Sequence, residues 1–195
     1  MFGQSLFYDV ILYVYALSLL FMFSDFVERN PRAKRLGTGL LAFVWVLQTL
    51  FLLYEGAKLS EGSLFVLLSS LLFFSWLIVT MSLVLNYVMR VDAVFFVNVA
   101  GFAAAALTFL GERTLSGTVL TWNVRHELLA IHVTLAVGSY AAYLFSALFS
   151  VMLLFLNNRL KGKRWSERLT RLPSLDDIQK WALRFVMIGT PLLLL

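Results

Sequence analysis

Five long apolar runs, separated by short charged segments, constrain this chain more than any other feature of its sequence. They cover residues 6–27, 40–54, 64–88, 93–110 and 128–156. A membrane-spanning helix needs about 20 mostly apolar residues, whereas barrel strands alternate in polarity, and these runs do not alternate. With 61% hydrophobic and 14% charged residues, the chain also departs from the composition of a soluble domain. We therefore predict an all-α, polytopic bundle of transmembrane helices.

A sixth apolar run begins near residue 178 and reaches Leu195 within a tract of leucines. Complete spans normally end in polar or aromatic flanks, which this run does not reach. We expect five complete spans plus a truncated sixth, forming a single transmembrane domain over residues 1–195. We further expect this domain to be the N-terminal part of a longer protein.

The distribution of basic residues between alternate connecting segments predicts the orientation of the bundle. One side would hold eleven lysines and arginines: Arg29, Arg32, Lys34, Arg35, Arg90, Arg159, Lys161, Lys163, Arg164, Arg168 and Arg171. The other side would hold Lys58, Arg113 and Arg125. Because basic loops stay in the cytoplasm, the N-terminus and segments 55–63 and 111–127 are predicted to lie outside. The excess of basic residues on the cytoplasmic side accounts for the net charge of +5. We therefore expect the protein to contact membrane lipid and not nucleic acid.

Polar side chains inside a span are costly unless they are paired or hydrated, so they are candidates for interhelical hydrogen bonds or functional sites. We predict interhelical hydrogen bonds for Gln48, Ser69, Ser70, Ser75, Thr80, Ser82, Asn86 and Asn98. The sequence has no Cys, no Ser/His/Asp set and no glycine-rich phosphate loop, so thiol, hydrolase and kinase chemistry lack the residues they need. A small-solute transporter would need broken helices or a buried charged site at the bilayer midplane, and Gly or Pro breaks within the spans are too few to support one. We expect no enzymatic activity from this chain alone.

The fifth run is the most informative, because it contains both histidines of the chain. His132 precedes Leu156 by about 36 Å of helix, more than the roughly 30 Å hydrocarbon core, so it should lie at the outer interface. Helical periodicity places Ser139, Tyr140 and Tyr143 on the same face as His132, where they could border a flat aromatic ligand. An interfacial histidine also serves as a hydrogen-bonding group to a neighbouring helix or a lipid headgroup. Both interpretations of this face are open at this point.

His126 is a further binding candidate in the same segment. It lies between Arg125 and Glu127, about 120° around the helix from His132. The two histidines therefore cannot coordinate one iron from the same face of a continuous helix. A second axial ligand would come from elsewhere, and a solvated position in a turn is the simpler interpretation of His126.

A ridge of small residues marks another face of the fifth helix. Four such residues recur at intervals of four: Gly138, Ala142, Ser146 and Ser150. Small side chains permit close backbone approach between membrane helices. In the fourth run, Gly101 and Ala105 offer a matching small face, so one face of the fifth helix can pack while another presents a ligand.

The segment Leu128-Leu-Ala-Ile-His-Val-Thr-Leu-Ala-Val-Gly-Ser-Tyr-Ala-Ala-Tyr143, followed by a basic segment, resembles the CcsA/HemX group of membrane proteins, the cytochrome c assembly family. An outward-facing histidine that opens a helix, with tyrosine eight residues later among small residues, is the specific part of the resemblance. The segments Asn30-Pro-Arg-Ala-Lys-Arg-Leu36 and Phe43-Val-Trp-Val-Leu-Gln48 look most like the HemX-type members. The likeness covers the whole chain loosely and the fifth helix well.

This resemblance implies a bacterial plasma-membrane protein that binds or handles non-covalent, b-type heme at the extracytoplasmic face. The histidine matching His132 is implied as an axial ligand of the heme iron, with cytochrome c assembly proteins as partners. HemX-type members are also associated with control of the amount of glutamyl-tRNA reductase, which makes that soluble enzyme the alternative partner, through the basic cytoplasmic segment 157–177. The synthases of the family carry a tryptophan-rich segment and another outward histidine beyond the sixth helix, and residues 1–195 contain neither.

Overall fold

A computed structural model describes residues 2–28, 30–57, 63–89, 94–115, 126–161 and 174–195. These residues form six α-helices and no strand. The helices are α1 (Phe2–Glu28), α2 (Pro31–Ala57), α3 (Ser63–Met89), α4 (Val94–Leu115), α5 (His126–Lys161) and α6 (Leu175–Leu194). The prediction of an all-α, polytopic bundle is confirmed.

Five of the helices are long and apolar enough to cross a membrane within the described part of the chain. Their apolar stretches are Phe7–Glu28, Pro31–Tyr54, Ser70–Val88, Val94–Gly111 and Ile131–Asn158. They match the five predicted spans in order and approximate position. The sixth helix is not among them, because its first three turns carry four charged residues.

The second helix begins nine residues before the apolar run that predicts it. The residues between the runs 6–27 and 40–54 were expected to form a connecting loop, but Pro31 starts the helix. Proline is well suited to a first helical position because its missing N–H has no helical partner there. The Asn30 side-chain oxygen accepts hydrogen bonds from the backbone N–H groups of Arg32 (3.0 Å) and Ala33 (3.4 Å). This cap explains how a polar segment forms the first turns of α2, although the basic residues there oppose the helix dipole.

Helices α1 to α4 form a four-helix bundle in which each helix packs against its two neighbours in the ring. Its core is apolar and aromatic, with Tyr8 lying between Phe51 and Phe109 at ring-centroid distances of 5.0 and 4.6 Å. Large apolar side chains such as Leu20 and Leu53 point outward instead. This arrangement is typical of a bundle whose outer surface is in contact with lipid.

Helices α5 and α6 form an antiparallel hairpin beside this bundle. Of the four bundle helices, α5 packs mainly on α3, and among the described helices α6 packs only on α5. Phe185 of α6 stacks on Phe145 and Phe149 of α5, with centroid separations of 5.5 and 5.9 Å. The hairpin therefore extends the bundle to one side and leaves the far face of α6 uncovered by the described residues.

Candidate functional site

Three residues of the small ridge of α5, Gly138, Ala142 and Ser146, pack against α6, whereas Ser150 is exposed. Ser146 donates a hydrogen bond to the backbone carbonyl of Ala182 at 3.1 Å. A Cβ built on Gly189 would lie 3.4 Å from the Ala142 Cβ, so the two backbones approach closely. Glycine and alanine at this crossing provide the space that such an approach requires.

The partner of this ridge differs from the one that the sequence indicated. Gly101 and Ala105 of α4 were expected to offer the matching small face. They instead lie inside the four-helix bundle, where Gly101 approaches Tyr15 and Ile78. The fourth helix makes only slight contact with α5, so α6 takes the place that α4 was expected to fill.

His132 lies on α5 beyond the region that α6 covers. Gly138 is level with Leu192 of α6, with 3.8 Å between a Cβ built on Gly138 and the Leu192 Cδ1. Since the helices are antiparallel, His132 is about 9 Å farther along α5 than Gly138. Its side chain is exposed, and no described residue hydrogen-bonds or ion-pairs with the imidazole. The imidazole nitrogens are therefore accessible to a ligand.

The other predicted residues of this face divide into two groups. Tyr140 is 57% exposed and points away from α6. Ser139 is fully buried, and its hydroxyl has no hydrogen-bond partner among the described residues. The Tyr143 hydroxyl lies 3.2 Å from the Thr190 Oγ1. Because Thr190 donates its own proton to the Val186 carbonyl, Tyr143 is the donor of that hydrogen bond.

These positions separate a ligand-accessible surface from a packing surface on one helix. His132 and Tyr140 are accessible, whereas Ser139 and Tyr143 hold the hairpin together or lie within it. His126 is the first residue of α5, and its side chain lies outside the described part of the structure. Of the five predicted residues, His132 and Tyr140 are thus exposed, about two helical turns apart on α5.

A second polar constellation, at the centre of the four-helix bundle, was only partly predicted. The Tyr15 hydroxyl is fully buried and lies 3.1 Å from the Asn98 carbonyl oxygen and 3.3 Å from the Asn98 Oδ1, both of which accept from it. Gln48 donates to the Ser75 hydroxyl at 2.9 Å, and Ser75 in turn hydrogen-bonds Tyr15. This chain of hydrogen bonds joins α2, α3, α1 and α4.

Sequence reasoning identified Gln48, Ser75 and Asn98 as interhelical hydrogen-bond formers, and the structure confirms all three. Tyr15 was not predicted, because a tyrosine within an apolar run does not differ in sequence from the aromatic residues that are common in membrane spans. The position of Tyr15, four residues after the buried Ile11, is the signal that could have placed it inward. Ser82 is buried with no hydrogen-bond partner among the described residues, so its predicted interhelical bond is absent there.

Two further predicted polar residues also join helices. Asn86 donates to the Thr38 hydroxyl at 2.9 Å, which ties α3 to α2. Thr80 accepts from the Trp45 indole at the same distance. The side chain of Ser69 lies outside the described part of the chain.

Taken together, the fold defines a multi-pass helical membrane protein with an exposed histidine near one end of its longest helix. Residues 40–195 match the family model described as Cytochrome C assembly protein. The chain therefore belongs to the cytochrome c assembly family of bacterial multi-pass membrane proteins, as a HemX-like member.

Two curated relatives support this membership. The chain is 42% identical over 192 residues to Protein HemX of Brevibacillus brevis, a match that covers 96% of the chain and 69% of that relative. It is 38% identical over 183 residues to Protein HemX of Bacillus subtilis (strain 168), covering 93% of the chain and 66% of that relative. The matched region thus amounts to about two thirds of each relative's length. No solved structure shows a significant match to the chain.

Proposed function

We propose that this protein binds heme at the extracytoplasmic face of the bacterial plasma membrane, with His132 as an axial ligand of the iron. The observation that carries the proposal is the accessible imidazole of His132, which no described residue engages. Membership of the cytochrome c assembly family supports heme as the ligand. The positive-inside prediction places this end of α5 outside.

The residues around His132 are compatible with a flat, largely apolar ligand. Tyr140 is exposed about two turns along α5 from His132 and provides a phenolic surface, whereas Ile131 lies on the opposite side of the helix from Tyr140. Neutral imidazole is a common ligand of heme iron. When bound, heme supplies a redox-active iron and a planar macrocycle with two carboxylates. The role of α5 would be to hold the imidazole in place and to shield one side of the ligand from water.

The packing of α5 explains how the helix can keep this imidazole in a fixed position. Gly138, Ala142 and Ser146 of its small ridge pack on α6, and Phe145 and Phe149 are fully buried. Tyr143 and Thr190 link the two helices about 16 Å below His132 along α5. A rigid element is a better platform for a ligand than a loop.

A hemin titration of the detergent-purified protein, monitored at the Soret band, tests this proposal. The His132→Ala variant should bind hemin at least about tenfold more weakly than the wild type, because the axial bond is lost. Ile131→Ala is the matched control, since it changes an exposed neighbour and leaves the imidazole in place. Equal hemin affinity of wild type and His132→Ala would contradict the proposal.

A second candidate function is control of the level of glutamyl-tRNA reductase from the cytoplasmic side. The supporting observation is that α5 remains helical to Lys161, past its last buried residue, Leu156. Asn157 and Asn158 are exposed on this extension. A helix that projects from the bundle with polar and basic residues can contact a soluble protein.

Replacing four basic residues of this segment tests the second candidate. The variant carries glutamine at Arg159, Lys161, Lys163 and Arg164. The amount of glutamyl-tRNA reductase in the cell, measured by quantitative immunoblotting, should change while hemin binding stays at the wild-type level. An unchanged amount of the enzyme, with the variant correctly inserted, would exclude this route.

A further inference from the structure

Two arginines lie on the outward side of α2 near its start. Arg32 and Arg35 belong to the first two turns of the helix, and both are exposed. The inward side of the same turns carries Ala33 and Gly37, which are buried, and the Gly37 carbonyl accepts a hydrogen bond from Ser18 of α1 at 2.8 Å. Since successive residues are about 100° apart around a helix, the two arginines point away from the four-helix bundle.

The charges of these arginines are not neutralised within the described part of the chain. Neither guanidinium forms a hydrogen bond or an ion pair with a described residue, including the nearby carboxylates of Asp25 and Glu28. The start of a helix also carries a partial positive charge, which disfavours cations and attracts anions. Two arginines at this position therefore form a surface that attracts an anion from outside the chain.

The same face of α2 continues as an apolar surface. Helical periodicity places Gly39, Phe43 and Leu50 within about 20° of Arg32 around the helix axis. All three are exposed. A Cβ built on Gly39 meets nothing within 4 Å, so the face has an open notch between Leu36 and Phe43. We call this surface, from Arg32 to Leu50, the outer face of α2.

The arginines lie at the depth of the lipid headgroups. The second helix is long and apolar enough to span a membrane, and its apolar run begins at Leu40. By helix rise, Arg35 lies about 7 Å and Arg32 about 12 Å before this point. A headgroup layer is about 5–8 Å thick on each side of the hydrocarbon core. Arg35 is therefore within this layer, and the long side chain of Arg32 reaches it from the aqueous side.

We infer that the outer face of α2 binds an anionic phospholipid, with its phosphate on Arg32 and Arg35 and an acyl chain in the notch at Gly39. A guanidinium forms paired, charge-assisted hydrogen bonds with a phosphate. The apolar surface below the arginines favours a lipid over a free phosphate, because only the lipid has a chain to cover it. A zwitterionic lipid fits less well, because its headgroup also carries a positive charge. The inference does not depend on heme binding.

Native mass spectrometry of the detergent-purified protein tests the inference with defined lipids. The protein is titrated with phosphatidylglycerol and with phosphatidylcholine of the same acyl chains, and the bound lipids are counted. The wild type should bind phosphatidylglycerol about thirtyfold more tightly, since each basic residue near a headgroup contributes about fivefold. Work in detergent also removes the effect of basic residues on membrane orientation from the comparison.

Substitutions then locate the lipid. The double variant Arg32→Gln, Arg35→Gln should lose the preference for phosphatidylglycerol, whereas Arg32→Lys, Arg35→Lys should keep most of it because the charges remain. Gly39→Leu should weaken phosphatidylglycerol binding by filling the notch. Lys180→Gln is the matched control, since it removes the same charge from an exposed residue of α6 that already pairs with Asp176, and the preference should persist.

Three results would overturn the inference. The first is equal affinity of the wild type for the two lipids. The second is a preference that survives in the double glutamine variant or falls equally in Lys180→Gln, which would indicate a general effect of net charge. The third is displacement of phosphatidylglycerol by inorganic phosphate at a similar concentration, because the site would then bind a free anion.

Discussion

At the scale of single residues, Gly101 shows how the buried polar centre determines which side chain is tolerated. A Cβ at this position would lie 2.6 Å from the Tyr15 hydroxyl and 3.0 Å from the Ile78 Cγ2. Neither atom can move easily, because Tyr15 is fully buried and donates to Asn98. The absence of a side chain at Gly101 therefore allows the hydrogen bond between α1 and α4 to form.

Gly101→Ala is expected to lower the free energy of unfolding by about 1–3 kcal/mol, through overpacking and displacement of the Tyr15 hydroxyl. Unfolding in a denaturing detergent, followed by circular dichroism, measures this change. Gly39→Ala is the control, since a Cβ on Gly39 meets nothing within 4 Å and should cause no loss. Equal stability of the two variants would show that the approach of Tyr15 to Gly101 is not a constraint.

At the scale of helices, α2 and α3 are joined by a reciprocal pair of hydrogen bonds. The Trp45 indole donates to the Thr80 hydroxyl at 2.9 Å, and the Trp76 indole donates to the Thr49 hydroxyl at 2.8 Å. Each threonine donates in turn to the carbonyl of the tryptophan four residues before it on its own helix. The two indoles also stack, with a centroid distance of 6.4 Å.

A double-mutant cycle measures the strength of this pairing. Trp45→Phe and Thr80→Val should each destabilise the protein, and together they should lose less than the sum of the two single effects. The coupling free energy should be about 0.6–1.7 kcal/mol, the range found for hydrogen bonds between membrane helices. The pair Trp45→Phe and Ser146→Ala is the comparison and should show no coupling, because Ser146 bonds to Ala182 and shares no partner with Trp45. No coupling between Trp45 and Thr80 would contradict the assigned hydrogen bond.

The sequence predicted the helices better than their pairing. Apolar length alone identifies each span, because lipid requires every backbone polar group to be bonded within the helix. The sequence also predicted close helix packing on the ridge at Gly138 and Ala142. The predicted neighbour, however, was α4, and the observed neighbour is α6. The choice between α4 and α6 depends on contacts such as those of Phe185 and Gly189, which no local pattern in α5 encodes. The start of α2 at Pro31 was not predicted, because the first turns of this helix are polar and the prediction placed its start at the beginning of the apolar run.

At the scale of the whole molecule, the described chain consists of two parts with different roles. The ring of α1 to α4 is held by buried aromatic and hydrogen-bonded side chains, whereas the α5–α6 hairpin carries the exposed histidine at which we propose heme binding. His132 lies at one end of the hairpin. Its distance from Leu156 along the helix can be read from the sequence, whereas its position beyond the region that α6 covers follows only from the way α6 packs on α5.

Chemical rescue of the axial ligand tests the proposed heme function most directly. The visible spectrum of the protein purified from heme-replete cells should show a Soret band that is lost in His132→Gly. After imidazole and hemin are added to that variant and free hemin is removed by gel filtration in imidazole, the protein fraction should show the band again, because the free base can occupy the space left by the side chain. Ile131→Ala should keep the wild-type spectrum without imidazole. A Soret band in His132→Gly equal to that of the wild type, and insensitive to imidazole, would contradict the assignment of His132 as the heme ligand.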